Sequence, residues 1–127
     1  MTIKVGDIVE YDNKQQRVMG FVYDSKNLIR LSHQSKSSHI NVNNVTLVES
    51  FIKPDIKIGD SVRILNIPDN EQTFYMDANK PADDGVYEVV DVFENKRVGM
   101  VVIVLIEDER RNYMAQYVEK VQDYDMI

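Results

Sequence analysis

The chain has 127 residues, 43% hydrophobic and 28% charged, with a net charge of −6 at pH 7 and no cysteine. Such a balance is that of a soluble globular protein, and the missing cysteines exclude a disulfide framework, a thiol nucleophile and a zinc–thiolate site while suiting a reducing cytoplasm. The longest apolar run, Val98 to Ile106, is 9 residues, and Lys4, Asp7, Glu10 and Asp12 interrupt the start, so neither a membrane span nor a signal peptide is expected.

In chain order, Ile3-Lys4-Val5-Gly6-Asp7-Ile8-Val9 opens a run of short strands. Ile8 to Tyr11 alternates as a half-buried strand, Asp12 to Gln15 reads as a tight polar turn, and Gln16 to Tyr23 as the returning strand. Asp24 to Asn27 has Asx and Ser turn chemistry. Leu28 to Ser32 is the third strand, His33 to Ser37 a polar loop, and Ser38 to Val42 a short extended piece. Asn43-Asn44 then makes a single 3₁₀-type turn before a last strand, Val45 to Glu49.

After a short linker, Phe51 to Asp55, the opening phrase returns 53 residues on as Ile56-Lys57-Ile58-Gly59-Asp60-Ser61-Val62. The strands of this second run are Ser61 to Asn66, Gly85 to Glu94, Arg97 to Ile106, Asn112 to Ala115 and Val118 to Gln122. Glu94-Asn95-Lys96, Glu107 to Arg110 and Gln116-Tyr117 are the turns. A 17-residue loop, Pro68 to Asp84, replaces the tight first turn of the first run. The closing phrases also match, with Val42 to Val48 answered by Ala115 to Val121. A period of this size marks duplicated small domains, 1–52 and 53–127. Each is too small to bury much surface alone, so the two are expected to pack together.

Charge divides along the same boundary. Residues 1–52 hold 6 Lys/Arg against 5 Asp/Glu, and residues 53–127 hold 9 against 16. The overall deficit of cations argues against strong non-specific nucleic-acid binding.

Five short strands with a single turn before the last, each set opened by Lys-Val/Ile-Gly-Asp-x-Val, resemble the SH3-like small barrel. The nearest relatives in pattern are the KOW, Tudor and bacterial SH3-type barrels. The resemblance implies an all-β protein of two tandem SH3-like five-stranded barrels packed together. It does not imply one activity, because function resides in sites grafted on such folds. The style of the chain also resembles small accessory proteins of bacteria and their phages.

The Gly-Asp pair itself has a structural reading: Gly6 and Gly59 take φ > 0, and Asp7 and Asp60 accept from nearby backbone N–H groups. His33 and His39 lie six apart without a Cys or close carboxylate, too few ligands for a metal; their loop is solvated, or touches phosphate through Lys36 with Ser35, Ser37 and Ser38. Glu107-Asp108-Glu109 and Asp83-Asp84 sit at turn tips, where no pocket splits their pKa values for acid–base work. No phosphate-binding Gly loop, nucleophile elbow or zincin motif is present, and neither an enzyme nor a cofactor is expected.

The 68–84 loop is the most informative segment, since hairpin loops usually have about 2 to 5 residues. It carries Phe74, Tyr75 and Met76 between Asp69 and Glu71 on one side and Asp77 on the other. Such a run either folds onto its own core or presents an anchor to a protein partner. The resemblance favours the anchor, because in SH3-like barrels the equivalent loop borders the ligand groove. Tyr113 and Tyr117 flank the last turn, near the ligand-binding aromatics of related barrels. With Tyr11, Phe21, Tyr23, Tyr87 and Phe93 they are also the material for a Tudor-like cage around a cation.

The expectation is thus a non-catalytic protein–protein interaction adaptor or inhibitor. Its recognition surface would be the acidic second barrel, acting on a basic protein or part of the nucleic-acid machinery. The alternatives are a KOW-like nucleic-acid binder using Lys14, Arg17, Lys26, Arg30 and Lys36, or a structural component of a phage assembly.

Overall fold

The computed structural model describes residues 2–22, 25–35, 37–72 and 85–121. The protein is all-β, with 50% of the described residues in strands and 9% in helix, in two five-stranded antiparallel sheets, one of them curled into a half-barrel. The chain divides into two compact units. Unit 1 is residues 1–52 with 95–99, and unit 2 is residues 53–94 with 100–127.

Unit 1 contains β1 (Ile8–Tyr11), β2 (Lys14–Phe21), β3 (Leu28–Leu31), β4 (Ile40–Asn41), a 3₁₀ turn (Val42–Asn44) and β5 (Thr46–Glu49). Unit 2 contains β6 (Ser61–Ile64), a one-turn helix α1 (Asp69–Gln72), β7 (Tyr87–Asn95) and β8 (Gly99–Ile106) except their end residues Asn95 and Gly99, β9 (Glu109–Met114), a second 3₁₀ turn (Ala115–Tyr117) and β10 (Val118–Lys120). The sheet orders are β4-β3-β2-β1-β5 and β10-β6-β7-β8-β9. Counting strands from the start of each unit, these are the same order read from opposite edges. The repeat in the sequence is a repeat of topology.

The correspondence extends to single hydrogen bonds. Gly6 N–H donates to Val18 O at 2.9 Å and Val18 N–H to Asp7 O at 2.8 Å; Gly59 N–H donates to Val89 O at 2.8 Å and Val89 N–H to Asp60 O at 2.9 Å. Both glycines have the expected positive φ, 95° and 94°. Both aspartates close the bend as expected: Lys4 N–H donates to Asp7 Oδ2 and Lys57 N–H to Asp60 Oδ2, each at 2.9 Å. Asp7 is fully buried, and its other oxygen accepts Phe51 N–H at 2.7 Å and the Lys4 ammonium at 2.8 Å. One carboxylate thereby ties the entry of unit 1 to its exit.

Several boundaries differ from the sequence reading. The first hairpin turns on Asp12 and Asn13 alone, at φ 54° and 61°, and Lys14 and Gln15 are already paired to Tyr11 and Glu10. Two central residues of positive φ give the twist that a tight hairpin needs. Glu107 and Asp108 do the same between β8 and β9, at φ 51° and 66°, so Glu109 and Arg110 belong to β9 rather than to the turn. The 68–84 segment begins with α1, and the strand read from Gly85 begins at Tyr87.

The core of unit 1 is Val9, Val18, Ile29, Leu31 and Ile40, with Ile3, Tyr11, Phe21, Val42, Val45 and Leu47 packed on it. Alternation along β3 and β6 puts every second side chain inside, as a one-sided sheet requires. In unit 2, β8 departs from alternation: Met100, Val101 and Val102 are all buried.

Candidate functional site

The connection from β6 to β7 is fastened to unit 2 at its start. Leu65 N–H donates to Tyr117 O at 2.7 Å, Ile67 is buried, and Glu71 N–H donates to Pro68 O at 2.9 Å within the α1 turn. The Tyr117 hydroxyl donates to Glu71 Oε1, and Glu71 is only 7% exposed. Two apolar side chains, Leu65 and Val86, stand exposed at the two ends of the connection.

This geometry revises part of the expected surface. Tyr113 and Tyr117 are core residues, 0% and 2% exposed. A cation cage needs an open ring face, which neither offers. Glu71 points inward to Tyr117, so it fixes the connection and does not rim it. Phe74, Tyr75, Met76 and Asp77 lie outside the described residues.

The acidic character of unit 2 is stronger than the simple division of the chain gives. The turn 95–99 brings Lys96 and Arg97 to unit 1, which then holds 8 Lys/Arg against 5 Asp/Glu, a net of +3. Unit 2 keeps 7 Lys/Arg against 16 Asp/Glu, a net of −9. Four of its cations face acids: Lys53 to Glu94, Arg110 to Asp91 at 3.7 Å, Arg111 to Glu109 at 3.8 Å and Lys120 to Asp60 at 3.3 Å. Lys57 N–H, and then the Lys120 ammonium, hold the Asp60 carboxyl below the usual carboxylate range against an opposing desolvation. Asp55, Glu88, Glu107, Asp108 and Glu119 are exposed and have no ion-pair partner among the described residues.

The basic residues expected to act together in unit 1 stand in different surroundings. Arg17 donates to Gly6 O at 2.8 Å and is part of the Gly-Asp bend. Arg30 on β3 is half-buried, with its Nε enclosed and without an acceptor among the described residues. Lys14 is exposed at the first hairpin, and Lys36 lies outside the described residues. Lys26 lines a cleft of about 370 Å³ with Phe21, Ser25 and Lys96. Lys96 was not expected there, because 70 residues separate it from Lys26 and only the fold brings them together.

His33 and His39 are both exposed. The His33 N–H donates to Oε1 of the buried Gln16 at 3.2 Å, and Gln16 Nε2 donates to Tyr11 O at 3.2 Å, fixing the start of the polar loop. Among the described residues no group of three or more His, Asp or Glu is placed to hold a metal ion, and no helix is long and apolar enough to cross a membrane. No family model, curated protein or solved structure matches the chain.

Proposed function

We propose that the protein is a non-catalytic binding protein, two tandem SH3-like barrels, whose acidic unit 2 engages a basic protein surface. The repeated strand order, with a 3₁₀ turn before the last strand of each unit, supports the barrel reading. The partition of charge carries the functional one. A net of −9 against +3 within one short chain, with five exposed unpaired acids among the described residues of unit 2, steers association toward a cationic partner. The β6–β7 connection, anchored at its start through Glu71, supplies the contact segment, with exposed Leu65 and Val86 at its two ends and Phe74 and Tyr75 between them in sequence.

The test is affinity capture from the native host with the full-length protein, washed at rising salt, beside a variant carrying Phe74→Ser and Tyr75→Ser. A basic protein that is released by salt and lost from the variant supports the reading. Retention of nucleic acid alone, or of a partner indifferent to both salt and variant, overturns it.

A further inference from the structure

The cleft of unit 1 is built from two pinned walls. On one side, Phe21 ends β2 and packs partly on the core. Ser25 follows in a turn whose Oγ accepts Asn27 N–H at 3.1 Å and Leu28 N–H at 3.2 Å, which leaves its own O–H as a donor. On the other side, Asn95 Oδ1 accepts Arg97 N–H at 2.8 Å and Val98 N–H at 3.2 Å, shaping the turn that carries Lys96. Phe21 N–H donates to Arg97 O at 2.7 Å, so the two walls are hydrogen-bonded to each other.

The described polar side chains of the cleft are donors. Lys26 and Lys96 are exposed and without an ion-pair partner among the described residues. With the Ser25 hydroxyl they make three side-chain donors beside one aromatic ring, and no carboxylate stands with them among the described lining residues. Two ammonium groups and a hydroxyl suit a ligand that accepts, above all an anion, and an aromatic ring suits a flat π-face. The volume of about 370 Å³ falls within the range of small-ligand sites.

We propose that this cleft binds a nucleotide, its phosphate between Lys26, Lys96 and Ser25 and its base against Phe21. The described residues of the site all belong to unit 1, and the proposal does not depend on the partner proposed for unit 2. Free nucleotides and the residues of a single strand share this chemistry, and the experiment separates them.

Full-length protein is titrated with AMP, with inorganic phosphate and with a short oligothymidylate at low salt, following backbone amide shifts and affinity. The expected result is that the amides of Phe21, Lys26 and Lys96 move. Lys26→Gln with Lys96→Gln should weaken binding by about tenfold or more, and Lys14→Gln should leave it within about twofold. For the oligothymidylate the double change should also lower the slope of log K against log salt by about 0.7, the value for one phosphate contact on a single strand. Tighter binding of the oligomer than of AMP assigns the site to a strand; equal binding assigns it to free nucleotides. Inorganic phosphate binding as tightly as AMP, equal competition by polyglutamate, or affinity unchanged in the double variant would overturn the proposal.

Discussion

The Tyr117 hydroxyl donates to the Glu71 carboxylate inside unit 2, joining the 3₁₀ turn before the last strand to the connection that follows the first. In unit 1 the matching 3₁₀ position is Asn44, which is exposed, and the matching connection is the two-residue turn Asp12–Asn13. The long connection and its buried anchor thus occur together in one copy and are absent together from the other. Tyr117→Phe should destabilise the protein by roughly 1.5 to 3 kcal/mol, the usual contribution of a hydrogen bond to a charged group. Combining it with Glu71→Gln in a denaturation cycle should cost less than the two single changes added. Additive effects would mean that the contact contributes nothing.

Gly6 and Gly59 share their φ but not their surroundings. A Cβ on Gly6 would lie 2.7 Å from the Phe51 ring, whereas one on Gly59 would meet nothing within 4 Å. Gly59→Ala should therefore show only the left-handed backbone strain, about 1 to 2 kcal/mol. Gly6→Ala should add overpacking of about 1 to 3 kcal/mol. Equal losses in thermal or denaturant unfolding would mean that Phe51 moves aside freely.

Asp60 provides a pH test. Its folded pKa is lowered, first by the Lys57 N–H and then by Lys120, so its contribution is fully present above the unfolded value of about 3.9. That contribution is lost as pH falls through the folded value. The stability gap between the wild type and Asp60→Asn should be constant near neutrality and close below about pH 4. A gap that persists at lower pH would assign the effect to shape and not to charge.

The duplication, the positive-φ glycines and the Gly-Asp bends were legible in the sequence because each depends on residues within a few positions. The hairpin turns were read as too long, since Asp12–Asn13 and Glu107–Asp108 lack the glycine that usually marks positive φ. Burial of Glu71 and Tyr117 was not legible. An acid in a polar loop gives no local sign that a tyrosine 46 residues away will satisfy it. Lys96 was hidden for the same reason: the cleft exists only once Phe21 N–H finds Arg97 O. Of the expected basic set, Arg17 donates to Gly6 O, a partner 11 positions away that the sequence does not announce.

The same long-range bond bears on whether the copies fold separately. The fragment 1–52 lacks the turn 95–99, and with it the acceptor of Phe21 N–H and the backbone of Gly99 beside Val5. A donor left without its acceptor in a half-buried strand costs about 1 to 3 kcal/mol, a large share of what so small a sheet can hold. Residues 53–127 retain the buried run of β8 and the Tyr117–Glu71 contact. Calorimetry of the two fragments should therefore show a cooperative transition for 53–127 and a broad or absent one for 1–52. Adding a peptide of residues 95–99 in a cyclic turn should sharpen the second. A cooperative transition for 1–52 alone would show that β1 to β5 need nothing from the later turn, and that the bond from Phe21 to Arg97 shapes the cleft without supporting the fold.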